Sequence, residues 1–383
     1  MRHFKLMLLL ALTACAPKAV TVTVSNPLSI DRKGEVVEVS AALVEQFKGA
    51  FTVTGTEGEV PWQLTSDGKL LFPATVGANG SASYKIAKGQ PAPQDTLCLG
   101  NIRPDRLDDF IWENDMSGYR TYGPALQKRG ERAFGYDVFT KSVTYPVMNY
   151  RFDKKSEMSF HLDHGNGMDS YGVGPTLGCG TDALVNQNGE LVYPWCYVTQ
   201  EVLDEGPLRF RARFTYSPVT VDGKTVKETR VITLDKGSYM NNVSVSFEGL
   251  SGKTPIVAGV VVHPENPEAY ACGKDDTGAW LGYADLGDRN VGQNGNIFVG
   301  CVFAAPVDEV AYVPFTPEDL PQHAGAIGHV MACSSYVPGS QYTYWFGSSW
   351  SKAGAVSTIE DWSAILKSYQ EKFVKPLEIQ IVK

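Results

Sequence analysis

Two runs of this sequence crowd ionisable and aromatic side chains between glycines. The first is Trp112-Glu113-Asn114-Asp115, with Tyr119-Arg120-Thr121-Tyr122-Gly123-Pro124 close behind. The second is His161-Leu162-Asp163-His164-Gly165-Asn166-Gly167-Met168-Asp169-Ser170-Tyr171. Charged groups are costly to bury unpaired, so such density points to binding, catalysis or a tight ion-pair network. If the first run is extended, Glu113 and Asp115 share one face and Trp112 and Asn114 the other. An aromatic wall, a carboxylate and the Arg120 fork suit a sugar bearing a carboxylate or sulfate. The same residues would equally form a buried acid–Arg pair that pins a corner of a sheet.

In the second run, an extended backbone puts His161, Asp163 and Gly165 on one face. Imidazole is the side chain best suited to give and take a proton near neutrality, so His161 is a candidate general acid or base, with Asp163 to orient it. Asp163, Asp169 and nearby carbonyls would alternatively hold Ca2+, although the spacing is not that of an EF-hand. No other cofactor is expected. Two later runs add candidates. Within the aromatic stretch from Tyr342 to Lys352, most rings suit a core, and Trp350 and Lys352 stand out among small residues as glycan contacts. His263-Pro264-Glu265 follows an apolar strand, where Glu265 would be a base or a solvated turn residue. No GxGxxG, GxxxxGK[ST], GxSxG or HExxH pattern is present, so nucleotide-binding and zinc-protease chemistry have no support.

The elements that must position these residues read as strands. Residues 20–24, 35–44, 51–54, 62–64, 70–72 and 82–86 alternate or run β-branched, and Asp67-Gly68 and Asn79-Gly80 are hairpin dipeptides. They predict a small β-sandwich over 20–94, bounded by Lys88-Gly89-Gln90-Pro91-Ala92-Pro93. Further strands at 209–216, 226–234, 242–247, 256–262, 296–303 and 327–335 predict a large sandwich over 95–383. Thr358 as N-cap, Asp361 three residues on, and Ile359, Trp362, Ile365, Leu366 and Tyr369 at helical spacing predict one C-terminal helix. Pro376 closes it, and 377–382 is a last strand. The fold class is therefore all-β.

Ahead of this body, Arg2 and Lys5 precede a short apolar run that ends in Leu12-Thr13-Ala14-Cys15. The pattern predicts a signal peptide over 1–14 and a lipid-anchored Cys15, with 15–19 as tether. Membrane contact is expected through that anchor alone. The tether Ala16-Pro17-Lys18-Ala19 lacks an acidic run, which favours the periplasmic side of the envelope. Asp and Glu outnumber Lys and Arg 42 to 34, which argues against nucleic acid as a partner. Cys98, Cys179, Cys196, Cys272, Cys301 and Cys333 lie too far apart for a zinc motif, and their spacing assigns no disulfide pairing.

Several of these runs together resemble a known group. The stretch Arg106 to Asp115, the run Tyr119 to Pro124, the spaced His161…Asp163…Gly165…Gly167…Asp169…Tyr171…Val173-Gly174, the turn Glu205-Gly206-Pro207-Leu208-Arg209, and Gly347-x-x-Trp350-Ser351-Lys352 resemble domain-of-unknown-function family 4861. The resemblance implies a galactose-mutarotase-like supersandwich in an exported protein of bacteria that degrade uronate-containing polysaccharides. It implies an acidic glycan as partner and leaves the reaction open. Four functions fit. The first is β-elimination, with Asn114 and Arg120 neutralising the uronate and His161 with Tyr122 or Tyr171 as base and acid. The second is glycoside hydrolysis by Glu113 with Asp115, Asp163 or Glu265. The third is mutarotation or epimerisation by His161 and Glu265. The fourth is glycan binding without catalysis.

Overall fold

The computed structural model describes residues 19–287 and 293–382. The predicted signal segment and Cys15 lie outside the described residues. The chain is all-β: a small sandwich is followed by a large supersandwich, with one long helix near the C-terminus.

The small sandwich packs two sheets around Val22, Val24, Val53, Leu70, Phe72 and Ile86, the inward members of alternating strands. Val20–Ser25 pairs with Ser81–Lys88 on one side and with the final strand Glu378–Val382 on the other. The far end of the chain thus closes the sheet that the near end opens. The strand predicted over 35–44 is instead Arg32–Ser40, and two 3-10 turns follow it. There the Ser40 hydroxyl accepts from the Ala42 amide, a local bond that competes with continuing the ladder.

The large body has three sheets around one core. The widest is nine-stranded: eight strands run from Tyr197–Asp204 through Arg209–Tyr216, Lys224–Asp235, Met240–Glu248 and Tyr342–Trp350 to Ile297–Phe303, Gly278–Asp285 and Tyr270–Asp275, and Val219–Val221 pairs beside Lys224–Asp235. Against it packs a five-stranded sheet centred on Thr254–Val262 and Gly328–Tyr336. A second five-stranded sheet, Leu99–Arg103, Asp109–Glu113, Gly118–Thr121, Asp137–Lys141 and Gly167–Asp169, covers one end, where Trp112 and Phe110 meet Phe210. The helix Ile359–Val374 starts at the predicted capping box, Thr358 with Asp361. It lies directly on the nine-stranded sheet at Gly282 and Gly300, where a Cβ would come within 2.9 Å of Leu366. The six cysteines among the described residues are free thiols.

Candidate functional site

The two conspicuous runs do come together, because antiparallel pairing carries them into one sheet. Arg120 pairs across to Ile111 on one side and Asp137 on the other, and Phe139 pairs with Asp169. Arg120 is thereby surrounded by carboxylates. Its Nε donates to Asp137 Oδ2 at 2.9 Å, and Nη2 also reaches that oxygen. Nη2 lies 3.0 Å from Asp169 Oδ2, and Nη1 lies 3.4 Å from Asp109 Oδ2. The Tyr122 hydroxyl donates to Asp137 Oδ2 at 3.2 Å, and the Tyr122 ring lies 5.1 Å from the guanidinium.

Three acids around one guanidinium leave negative charge in excess. Burial, then the neighbouring Asp137 carboxylate, outweighs Arg120 and pushes Asp169 up to about 8. Burial likewise raises Asp109 to about 6, against the pull of Arg120. The expectation that Arg120 receives a substrate carboxylate is therefore not met, since the guanidinium is already paired with the chain's own Asp137, Asp169 and Asp109.

The other expected residues separate into core, caps and surface. Trp112 is 1% exposed, and its indole N–H donates to Asn241 at 2.8 Å, so it offers no ring face to a ligand. Asn114 accepts from the amides of Met116 and Ser117 and donates to the carbonyls of Asp235 and Ser238, which uses all its bonding capacity. Glu113 is buried on Lys141 at 2.7 Å and on the amides of Val147 and Met148. Asp115 points elsewhere and accepts from Gly237 at 2.6 Å, so Glu113 and Asp115 form no carboxylate pair. Trp350 is buried, its indole donating to the Asn294 carbonyl at 2.7 Å. The Lys352 amine lies 5.5 Å from that ring.

The stretch 160–166 is a set of turns, and the strand begins only at Gly167. Gly165 and Gly167 have φ of +85° and +119°, and Asp163 accepts from both their amides, which fixes the turn. Asp163 therefore does not orient His161. The His161 ring is 62% exposed, and its Nδ1 donates to the Asp169 carbonyl at 2.9 Å. Asp163 and Asp169 face different partners. Among the described residues no three His, Cys, Asp or Glu side chains gather as metal ligands.

A second cluster forms where two fully buried strands end. His263 follows Thr254–Val262, and Asp285 ends Gly278–Asp285. His263 Nδ1 lies 2.6 Å from Asp285 Oδ2, while the other Asp285 oxygen accepts from the Gly287 amide at 2.8 Å. The carboxylate holds the proton on Nδ1, which leaves the Nε2 lone pair available. The His263 amide is braced by the Tyr283 hydroxyl at 3.2 Å, and Tyr171 stands edge-on to the imidazole at 6.2 Å. Tyr171 itself is buried and donates to the Gly178 carbonyl at 3.1 Å, so its hydroxyl is already engaged.

His263 and Asp285 border a cleft of about 580 Å³ that Glu265, His323 and the loop Gly172-Val173-Gly174 also line. A Cβ at position 172 would stand 3.2 Å from His263 Nε2, so glycine there keeps the imidazole edge clear. His323 stacks on Phe315 with ring centroids 3.7 Å apart and donates from Nδ1 to the Pro175 carbonyl at 2.9 Å. Behind it, His329 Nε2 accepts from the Leu177 amide at 3.0 Å. Burial, aided by His323 and His263, lowers His329 to about 3 and keeps it neutral. Sequence reasoning reached Glu265 and its neighbour His263 but missed Asp285 and His323. A signal for Asp285 was present: an acid closing an otherwise apolar, fully buried strand.

Comparison with known proteins bears on the whole chain. A protein of Formosa agariphila named "Uncharacterized protein P7" is 22% identical over 386 residues, covering 94% of this chain and 93% of that one. A protein in glycosyl hydrolase family 38 from Enterococcus faecalis is similar with a TM-score of 0.44 and 9% identity, over 95% of this chain and 47% of its own. An alpha-mannosidase from Enterococcus faecalis V583 gives 0.42 and 10%, over 95% and 46%. The chain thus spans about half the length of those two structures. The family described as "Domain of unknown function (DUF4861)" matches residues 24–379. With nearly its whole length matched, this chain belongs to the DUF4861 family.

Proposed function

We propose that the protein is a carbohydrate-active enzyme that cleaves uronate-containing saccharides by β-elimination in the His263 cleft. The observation that carries this reading is His263 Nδ1 at 2.6 Å from Asp285, in a cleft of about 580 Å³. The size suits a small ligand, and an imidazole oriented by a carboxylate is equipped for proton transfer. Nε2 takes the proton on the carbon next to the uronate carboxylate, and that electron pair forms the new C=C bond as the C4–O bond breaks. The imidazolium, stabilised by Asp285, returns its proton to the leaving oxygen. Among the described residues that line the cleft there is no Lys or Arg, and His323 is assigned to hold the uronate carboxylate by a hydrogen bond. The resemblance first seen in the sequence supports a uronate substrate. Export, acylation at Cys15 and a periplasm-facing position belong to the same reading, and mass analysis of the mature N-terminal peptide tests them.

Fragments of pectate, alginate and glycosaminoglycans incubated with the protein test the reaction. The expected result is rising ultraviolet absorbance from an unsaturated uronate on at least one polymer, abolished by His263→Ala. No absorbance change on any of them overturns the assignment. Glu265 in the same cleft favours one second reading, aldose mutarotation, in which acid and base act on the ring oxygen and the anomeric hydroxyl. Faster equilibration of a sugar's optical rotation, without ultraviolet change, would select it.

A further inference from the structure

A second cavity, of about 450 Å³, lies at the seam between the small sandwich and the outer face of the nine-stranded sheet. It shares no lining residue with the His263 cleft. Its floor is a single cross-strand row. Arg211 pairs with Thr233, Thr233 with Asn242, and Asn242 with Trp345. All four are half-buried, whereas their strand neighbours Ala212, Ile232, Val243 and Tyr344 face the core. The strand Arg32–Ser40 forms one wall, and the helix, with Tyr369 and Phe373, forms another. Phe373 stacks on Trp345 with ring centroids 4.1 Å apart and so holds the indole in place.

The polar groups divide in a telling way. Every acid of this cavity is bound to an arginine: Glu35 to Arg32, Glu38 and Asp235 to Arg209, and Asp67 to Arg211. Lys33 and Lys372 also line it; neither forms a close ion pair among the described residues, and Glu35 attracts the Lys372 ammonium from a distance. The Asn242 amide and the Thr233 hydroxyl likewise have no side-chain hydrogen bond among the described residues, although both sit in the floor. An indole, an amide and a hydroxyl without side-chain partners among the described residues, and ammonium groups outside any close ion pair, are what a saccharide with negative charge would engage.

We propose that this seam is a binding site for an anionic oligosaccharide, separate from the reaction centre. The inference takes its saccharide class from the proposed function but requires no turnover. Calorimetric titration of the full chain carrying His263→Ala, with oligogalacturonate, oligoalginate and chondroitin sulfate fragments, tests it. At least one fragment is expected to bind. Adding Asn242→Ala and Lys33→Glu should weaken that binding by about tenfold or more while circular dichroism is unchanged. Neither position belongs to the His263 cleft. Binding of no fragment, affinity unmoved by the two substitutions, or equal affinity for a neutral oligosaccharide of the same length each overturns the site. A protein that binds through this seam but turns over no polymer would leave the inference standing and fail the proposed reaction alone.

Discussion

The Arg120 network and the His263 cleft contrast in how they use ionisable groups. Arg120 with Asp109, Asp137 and Asp169 is dense in the sequence and closed in the fold, the guanidinium paired with three carboxylates. His263 and Asp285 stand 22 residues apart, yet they leave an imidazole edge open to a cavity. The closed network has the features of a structural pin, because it joins four strands of one sheet through charge. The open pair has the features of a reaction centre, because the imidazole Nε2 has no hydrogen-bond partner among the described residues. Density of charge in a sequence is thus a poor guide to reactivity; unspent bonding capacity beside a cavity is a better one.

The largest expected effect separates the two regions by rate. His263→Ala should lower kcat/KM on a responsive uronate polymer by about 10²–10⁴-fold with the folded circular-dichroism spectrum retained. Retention of activity within a few-fold would move the reaction away from this cleft. The opposite pattern is expected for Arg120→Ala, which strands buried carboxylates and should cost about 3–5 kcal/mol in urea unfolding. A stable Arg120→Ala protein with lost turnover would reverse the comparison.

The two regions should also respond to pH with opposite sign. Asp169 rises from 3.8 to about 8 on folding, so the native state holds the extra proton across that window. Stability from this group is therefore greatest at low pH and is lost as pH climbs towards 8. Asp169→Asn should flatten that decline, read as the change in urea midpoint between pH 5 and pH 8. His329 falls from 6.5 to about 3, so here the unfolded chain binds the extra proton, and stability drops as pH falls through that window. His329→Gln should flatten the acid limb of the same profile. If Asp169→Asn left the alkaline slope intact, the network would not hold a protonated acid. The smallest effect is expected from Gly172→Ala. Its Cβ would stand 3.2 Å from His263 Nε2 and should reduce kcat/KM by about tenfold or less, with the fold intact.

Much of the architecture was legible locally. The strand at Arg209–Tyr216 falls where alternation placed it, and the helix begins at the predicted Thr358 cap. These succeed because period and capping are properties of neighbouring residues. The turn at 160–166 was misread as a strand because Asp163 bonding to the amides of Gly165 and Gly167 competes with the apolar–polar rhythm. Trp112 and Trp350 read as ligand contacts in the sequence because aromatic type alone does not distinguish a platform from a core ring. Their indole N–H groups, bonded to Asn241 and Asn294, supply the distinction.

By itself, the sequence determined the all-β class, the place of the one long helix, and the family to which residues 24–379 belong. Each follows from patterns that recur over a few residues or along the whole chain. Only the tertiary structure decided that Arg120 is spent, that His263 meets Asp285, and that Glu378–Val382 returns to pair with Val20–Ser25. The physical reason is that a side chain's chemistry depends on what remains unbonded after packing, and its partners arrive from strands distant in sequence.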